Sequence, residues 1–304
     1  MAVLLVLLAA AVSGLGLVLL RKANQSEPER PGFSWSQLWL MIRHRPLWLA
    51  GIATMLAEFG LHALALSQST VTTVQLLVVM ELPFTLILSQ LILGGKLRQR
   101  EWAAIGSMTL GLIILLLALS PHGGHAEAVG LGTWLTGLAV TVAAIAAILV
   151  FSRWAGRVVR TALAGIAAGM GAGLIAVVVK PVTAAVPHGV AALASTWQTW
   201  ALILVSGSAF VLLQNALQAG RLVASQPGIT LANPVVAVLW GVLVFHEQVR
   251  GGWWLLGAAL GAVLLATGAA LLSGSPLLDG YREAPDDEAP GAPEPDPDVS
   301  RSYA

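Results

Sequence analysis

Cysteine is absent from this chain of 304 residues. No disulfide framework, thiolate metal site or cysteine nucleophile can therefore be built from it. Charge is scarce as well: 10% of the residues are charged against 57% hydrophobic, where a soluble domain carries about 25% charged residues. A chain so poor in charge cannot hydrate its whole surface, which excludes a soluble globular enzyme and a disordered protein. The net charge of +1 supplies no field to attract a polyanion, so nucleic acid is excluded as a partner. No Gly-x-x-x-x-Gly-Lys-Ser/Thr loop occurs, so drive by ATP within this chain is not expected. Lysine is also rare, with 3 residues beside 13 arginines. Together with abundant Ala, Val and Gly, this points by association to a high-GC bacterial genome.

What the chain has is long apolar runs. Mean hydropathy is +0.82. Nine stretches are each about 20 residues long, enough to cross a bilayer core: 2–20, 47–66, 70–93, 102–119, 131–151, 161–179, 197–217, 222–245 and 252–272. Backbone amides find no partner in lipid, so these runs must be helices. They do not alternate, which excludes a transmembrane barrel. The first run lacks a preceding positive residue and is followed by Arg21 and Lys22, so a spanning helix is expected rather than a signal peptide. The predicted fold is all-α: a polytopic membrane protein of about nine transmembrane helices, surrounded by membrane lipid.

The cations orient it. Fourteen of 16 fall in alternate connections: Arg21 to Arg45, Lys96 to Arg100, Arg153 to Arg160, Arg221, and Arg282 with Arg301. Only Lys180 and Arg250 lie on the other side. Positive charge stays cytoplasmic, so the N-terminus is expected outside and the C-terminus inside a cell membrane. Trp48, Trp102, Trp134, Trp197, Trp200, Trp253 and Trp254 sit near span starts, which suits an interfacial belt or lipid-facing packing. In 33–45, Trp35, Leu38, Trp39 and Ile42 form an amphipathic stripe ending in Arg43 and Arg45, expected in the inner interface. Residues 273–304 hold eight of 15 acids and six of 15 prolines, the composition of a disordered cytoplasmic tail.

A shift of 151 residues superposes Gln75 on Gln226, Pro83 on Pro234, Trp102 on Trp253 and Gly106 on Gly257. It carries spans 2–4 onto spans 7–9. Five helices separate each pair, an odd number, so the copies run in opposite directions. An inverted-topology repeat of this kind recurs in secondary transporters. The expected division is 1–120 for the first repeat, with the interfacial segment 33–45, 121–272 for the second repeat, and 273–304 for the tail. Pro83 and Pro234 fall mid-span, where proline removes an amide and kinks a helix.

Only Glu58 and Glu81 lie deep in the spans, each eleven residues from one span end and so about 16 Å deep. A charge there costs at least about 2.5 kcal/mol on insertion scales, and such residues usually face the protein interior. His62 shares the face of Glu58, and Gln75 is expected at a similar level. Glu58, His62, Gln75 and Glu81 form a candidate column for binding a proton, a cation or a small-molecule substrate. Asn233 and Gln226 are the candidates from the second half. Gln214, Asn215 and Gln218 are expected to bond neighbouring helices, and Glu247 to make a helix-end or loop contact. His122 and His125 lack a third strong ligand, so no resident metal or cofactor is expected. Gly165, Gly169 and Gly173, and Gly257 with Gly261, allow close helix packing, either in the bundle core or at a homodimer seam.

The first half resembles the drug/metabolite transporter superfamily (EamA-like), especially its NIPA-like branch. The matching residues are Leu20-Arg21-Lys22 closing the first span, Trp48, Gln75, Glu81, Pro83, Leu97 and Glu101-Trp102. The run Ile229–Val242 around Asn233-Pro234, with Glu247 after it, resembles the second repeat of that superfamily. Gly95-Lys96 and His246-Glu247 depart from the Gly-Glu pairs frequent there. The resemblance implies ion-coupled export of a small solute by alternating access. Its NIPA-like branch implies magnesium transport, for which Glu58 and Glu81 would be the ligands. An enzyme is not expected, since His62 has no nucleophile beside it and no His-Glu-x-x-His occurs. A non-transporting scaffold acting through the acidic tail is the remaining alternative.

Overall fold

The computed structural model describes residues 1–24, 46–94, 97–124, 126–219 and 222–273. The amphipathic stripe 33–45, His125, Arg221 and nearly all of the acidic tail lie outside the described residues. Among the described residues there are eleven α-helices: α1 (Ala2–Asn24), α2 (Pro46–Gln68), α3 (Val71–Val78), α4 (Glu81–Leu93), α5 (Gln99–Leu119), α6 (Leu131–Ser152), α7 (Arg157–Ala185), α8 (Val190–Ser195), α9 (Trp197–Gln218), α10 (Leu222–Leu243) and α11 (Trp254–Ser273). They supply nine spans long and apolar enough to cross a membrane, matching the nine runs read from the sequence. The chain is an all-α polytopic membrane protein.

The third span is made of two helices, α3 and α4. Pro83 has no N–H to offer Val79 four residues back and crowds its carbonyl. The chain tightens at that point: Met80 N–H donates to Leu77 at 3.0 Å and Leu82 N–H to Val79 at 3.4 Å. These i→i−3 bonds end one helix and begin the next. Pro234 behaves differently, because α10 runs through both Pro227 and Pro234 without interruption.

α1 packs along α2 and against α3 and α4, α7 packs along α10 and α9, and α5 packs along α11. Glycine permits the closest of these approaches. A Cβ on Gly165 would collide with the Ser225 carbonyl oxygen, and one on Gly169 would lie 2.5 Å from that of Ile229. On α11, a Cβ at Gly261 would lie 2.7 Å from the Gly111 carbonyl oxygen of α5. These glycines therefore line helix contacts inside the bundle.

A buried core joins Val6, Leu66, Val74, Leu86, Met108, Leu112, Val177, Val236 and Leu272. At one end of it Trp134 packs edge-on to Trp197, with centroids 5.5 Å apart, and against Trp240 at 5.3 Å and Phe245 at 5.5 Å. Trp134 is 1% exposed, so it belongs to the core and not to an interfacial belt. The sequence could not separate it from Trp102, Trp200, Trp253 and Trp254, which are exposed.

The loop after α5 and the loop after α10 meet in a two-stranded antiparallel ribbon, β1 (His122–Gly123) with β2 (Glu247–Gln248). Gly124 follows with φ +86°, and a Cβ there would lie 2.6 Å from the Glu247 side chain. Only glycine combines that backbone with that approach. The ribbon carries Glu247 onto the N-terminus of α3.

Candidate functional site

The N-terminus of α3 is held by three bonds. Thr70 adopts the extended conformation of an N-cap, and its side chain accepts from the Thr73 N–H at 3.2 Å. The Glu247 carboxylate accepts from Val71 N–H at 2.7 Å and from Thr72 N–H at 3.2 Å. Three of the four amides that a helix start leaves open are satisfied, and the carboxylate complements the helix dipole. Glu247 is buried, at 4% exposure, and makes the helix-end contact expected of it.

This fixed helix presents Gln75, 2% exposed, to α2. Gln75 Nε2 lies 2.9 Å from His62 Nε2. With the amide donating, His62 Nε2 accepts, and Nδ1 carries the ring proton. That Nδ1 lies 3.9 Å from Glu58 Oε1, one turn away on the same helix. Beyond it, Glu58 is within electrostatic reach of Glu81. Glu81 opens α4 in its first turn, directly after the tightened turn at Met80. Ser13 Oγ of α1 donates to Glu81 Oε1 at 2.8 Å.

The result is a polar column crossing four helices: Ser13, Glu81, Glu58, His62 and Gln75. Four of these are candidates from the sequence. Ser13 is not. Its signal was the polar Ser13-Gly14 pair inside an apolar run, because a Cβ on Gly14 would lie 2.9 Å from the Thr85 backbone nitrogen. Glycine lets α1 approach α4 closely enough for the Ser13 hydroxyl to reach Glu81. Inside the column, His62 Nδ1 and Gln75 Oε1 are buried without a hydrogen-bond partner. Polar atoms left so are uncommon in folded proteins.

Asn233 and Gln226 are half-buried on α10. No hydrogen bond joins either to the column among the described residues, and Asn233 Oδ1 is buried without a partner. Gln214, Asn215 and Gln218 are exposed at the end of α9 and, among the described residues, make no side-chain bonds to neighbouring helices, contrary to expectation. An isolated polar residue in an apolar helix looks the same in sequence whether it faces a neighbour or the outside. No cluster of three metal-ligating side chains occurs among the described residues.

The two cations on the sparse side have structural partners. Lys180 Nζ of α7 donates to the carbonyls of Leu66 and Ser69 at the end of α2. Arg250 donates from its backbone to Leu119 O at 2.9 Å and from its guanidinium to Leu117 O at 3.3 Å, at the end of α5. Each sits where a helix C-terminus favours positive charge.

Nine apolar helices among the described residues, with ionisable groups between them, define a multi-spanning membrane protein. An uncharacterized protein of Corynebacterium glutamicum is 30% identical to this chain over 228 residues, which is 73% of this chain and 78% of that protein. The chain belongs to the same family as that bacterial protein. No family model matches the sequence, and no solved structure matches the fold.

Proposed function

We propose that this chain is a secondary transporter of the drug/metabolite type, moving a small solute across the cell membrane by ion-coupled export. One observation carries the reading: the third span kinks ahead of Pro83, and Glu81, at that kink inside the bundle, is bonded to Ser13 and interacts electrostatically with Glu58. Interrupted helices whose ends flank buried charge are how transporters build binding sites at the midplane. The packing is compatible with an inverted repeat. α1 takes α2 and α3–α4 as α7 takes α9 and α10, and the repeat-related α5 and α11 pack on each other. The N-out, C-in orientation follows from the cation distribution, and both exceptions to it, Lys180 and Arg250, serve as helix caps.

The test is flux in proteoliposomes under an imposed pH gradient, comparing wild type with Glu58→Gln and Glu81→Gln. Loss of coupled flux in either variant supports the reading. Unchanged flux in both removes these residues from the mechanism. The electrostatic interaction between the two carboxylates favours a second reading, a divalent-cation carrier, since Mg2+ takes one or two carboxylates and keeps several waters. Mg2+ uptake independent of organic solutes, and abolished in the same variants, would select it.

A further inference from the structure

The end of the bundle opposite the ribbon carries a second polar construction, remote from the column. Gly156 precedes α7, so Arg157 and Arg160 stand three residues apart on its first turn and share a face. Thr161 Oγ1 lies 3.0 Å from the carbonyl oxygens of both Arg157 and Ala219 and shares its one hydrogen between them, pinning the end of α9 beside the start of α7. Between them is a pocket of about 500 Å3 lined by Ala155, Arg157, Arg160, Gln218 and Ala219. Both arginines are exposed, and neither has a carboxylate partner among the described residues. Two guanidiniums this close on one turn repel each other, and an anion between them would relieve that. The planar guanidinium suits phosphate oxygens, two at a time.

Two features distinguish this pocket from a site for a free anion. Gln218 adds an exposed amide to the pocket wall. The turns of α9 that precede Gln218 also expose Phe210 (61%), Val211 (57%) and Leu217 (41%), an apolar surface on the same helix. A ligand fitting both must carry an anionic phosphate, hydrogen-bonding groups beside it, and long apolar chains. The geometry points to an anionic phospholipid, its headgroup held by Arg157, Arg160 and Gln218 and its acyl chains lying along α9. Basic pockets between transmembrane helices hold headgroups in this way.

The experiment is native mass spectrometry of the full chain released from nanodiscs of equimolar phosphatidylglycerol and phosphatidylcholine. The expected result is preferential retention of phosphatidylglycerol by wild type and by Arg250→Gln at the other end. In Arg157→Gln/Arg160→Gln that preference drops roughly 10- to 30-fold, at about 1 kcal/mol per arginine near a lipid surface. Both arginines are exposed, so an unchanged melting temperature verifies that the double variant is folded. Equal retention by the double variant overturns the proposal. So does displacement of the lipid by inorganic phosphate, which would make this a simple anion site. Displacement by a synthetic peptide of residues 284–304 would assign the pocket to the acidic tail and overturn it likewise.

Discussion

Glu247 and Val71, 176 residues apart, are joined by a 2.7 Å hydrogen bond from a backbone amide to a buried carboxylate. The loop after α10 thereby holds the first turn of α3, and α3 holds Gln75. Replacing Glu247 with alanine leaves the Val71 and Thr72 amides buried without acceptors. A hydrogen bond to a charged group contributes about 1.5–3 kcal/mol. Glu247→Ala is therefore expected to lower the melting temperature in detergent clearly, and Glu247→Gln, which retains one acceptor oxygen, to lower it less. Equal melting of all three proteins would show that the cap is not stabilising.

Lys180 plays the corresponding part for α2. Its ammonium serves carbonyls of Leu66 and Ser69, on the helix that carries Glu58 and His62. Lys180→Met keeps the length of the side chain and removes the donor. The expected outcome is a loss of about 1–3 kcal/mol, read as a lower melting temperature. Lys180→Arg is expected to keep most of the stability. If Lys180→Met melts like wild type, the ammonium does not support the end of α2.

The glycines of α7 separate a packing role from a merely permissive one. Gly165→Ala would drive a methyl group against the Ser225 backbone, and Gly169→Ala against that of Ile229. Neither backbone can move without displacing α10, so each variant is expected to cost about 1–3 kcal/mol as overpacking. Gly60 and Gly207 are helical glycines where an added methyl group would meet nothing within 4 Å. Alanine there is expected to be neutral or to stabilise by up to about 1 kcal/mol. Thermal unfolding of the four single variants, compared side by side, checks the contrast.

Ser13 tests the column from the side the sequence left unmarked. Ser13→Ala removes the hydroxyl that donates to the Glu81 carboxylate and changes almost no volume. If Glu81 works in transport, this variant should change coupled flux several-fold while its melting temperature moves by little, about 1 kcal/mol of hydrogen-bond contribution. A flux indistinguishable from wild type would show that Ser13 does not position Glu81.

The nine spans were legible because partitioning into hydrocarbon acts on each stretch by itself, and about 20 apolar residues suffice for a crossing. Glu58 and Glu81 stood out for the same reason: buried charge is expensive wherever it occurs in a span. His62 followed from helical spacing on the face of Glu58. The limits lie where a residue's surroundings come from elsewhere in the chain. Trp134 and Trp102 both open spans, yet one is buried among aromatic rings and the other is exposed. Pro83 and Pro234 both fall in the middle of an apolar run, yet only the first interrupts its helix.

Local pattern thus accounts for which segments are helical, how many cross the membrane and which acids lie deep, because each is a property of contiguous residues in a given solvent. It does not say that Ser13 meets Glu81, that Glu247 caps α3, or that Lys180 closes α2. Those pairs are 68, 176 and 114 residues apart, and helix packing alone brings them within hydrogen-bond distance. Glycine contacts such as Gly14 against Thr85 set how closely the helices approach, and so decide which polar groups meet.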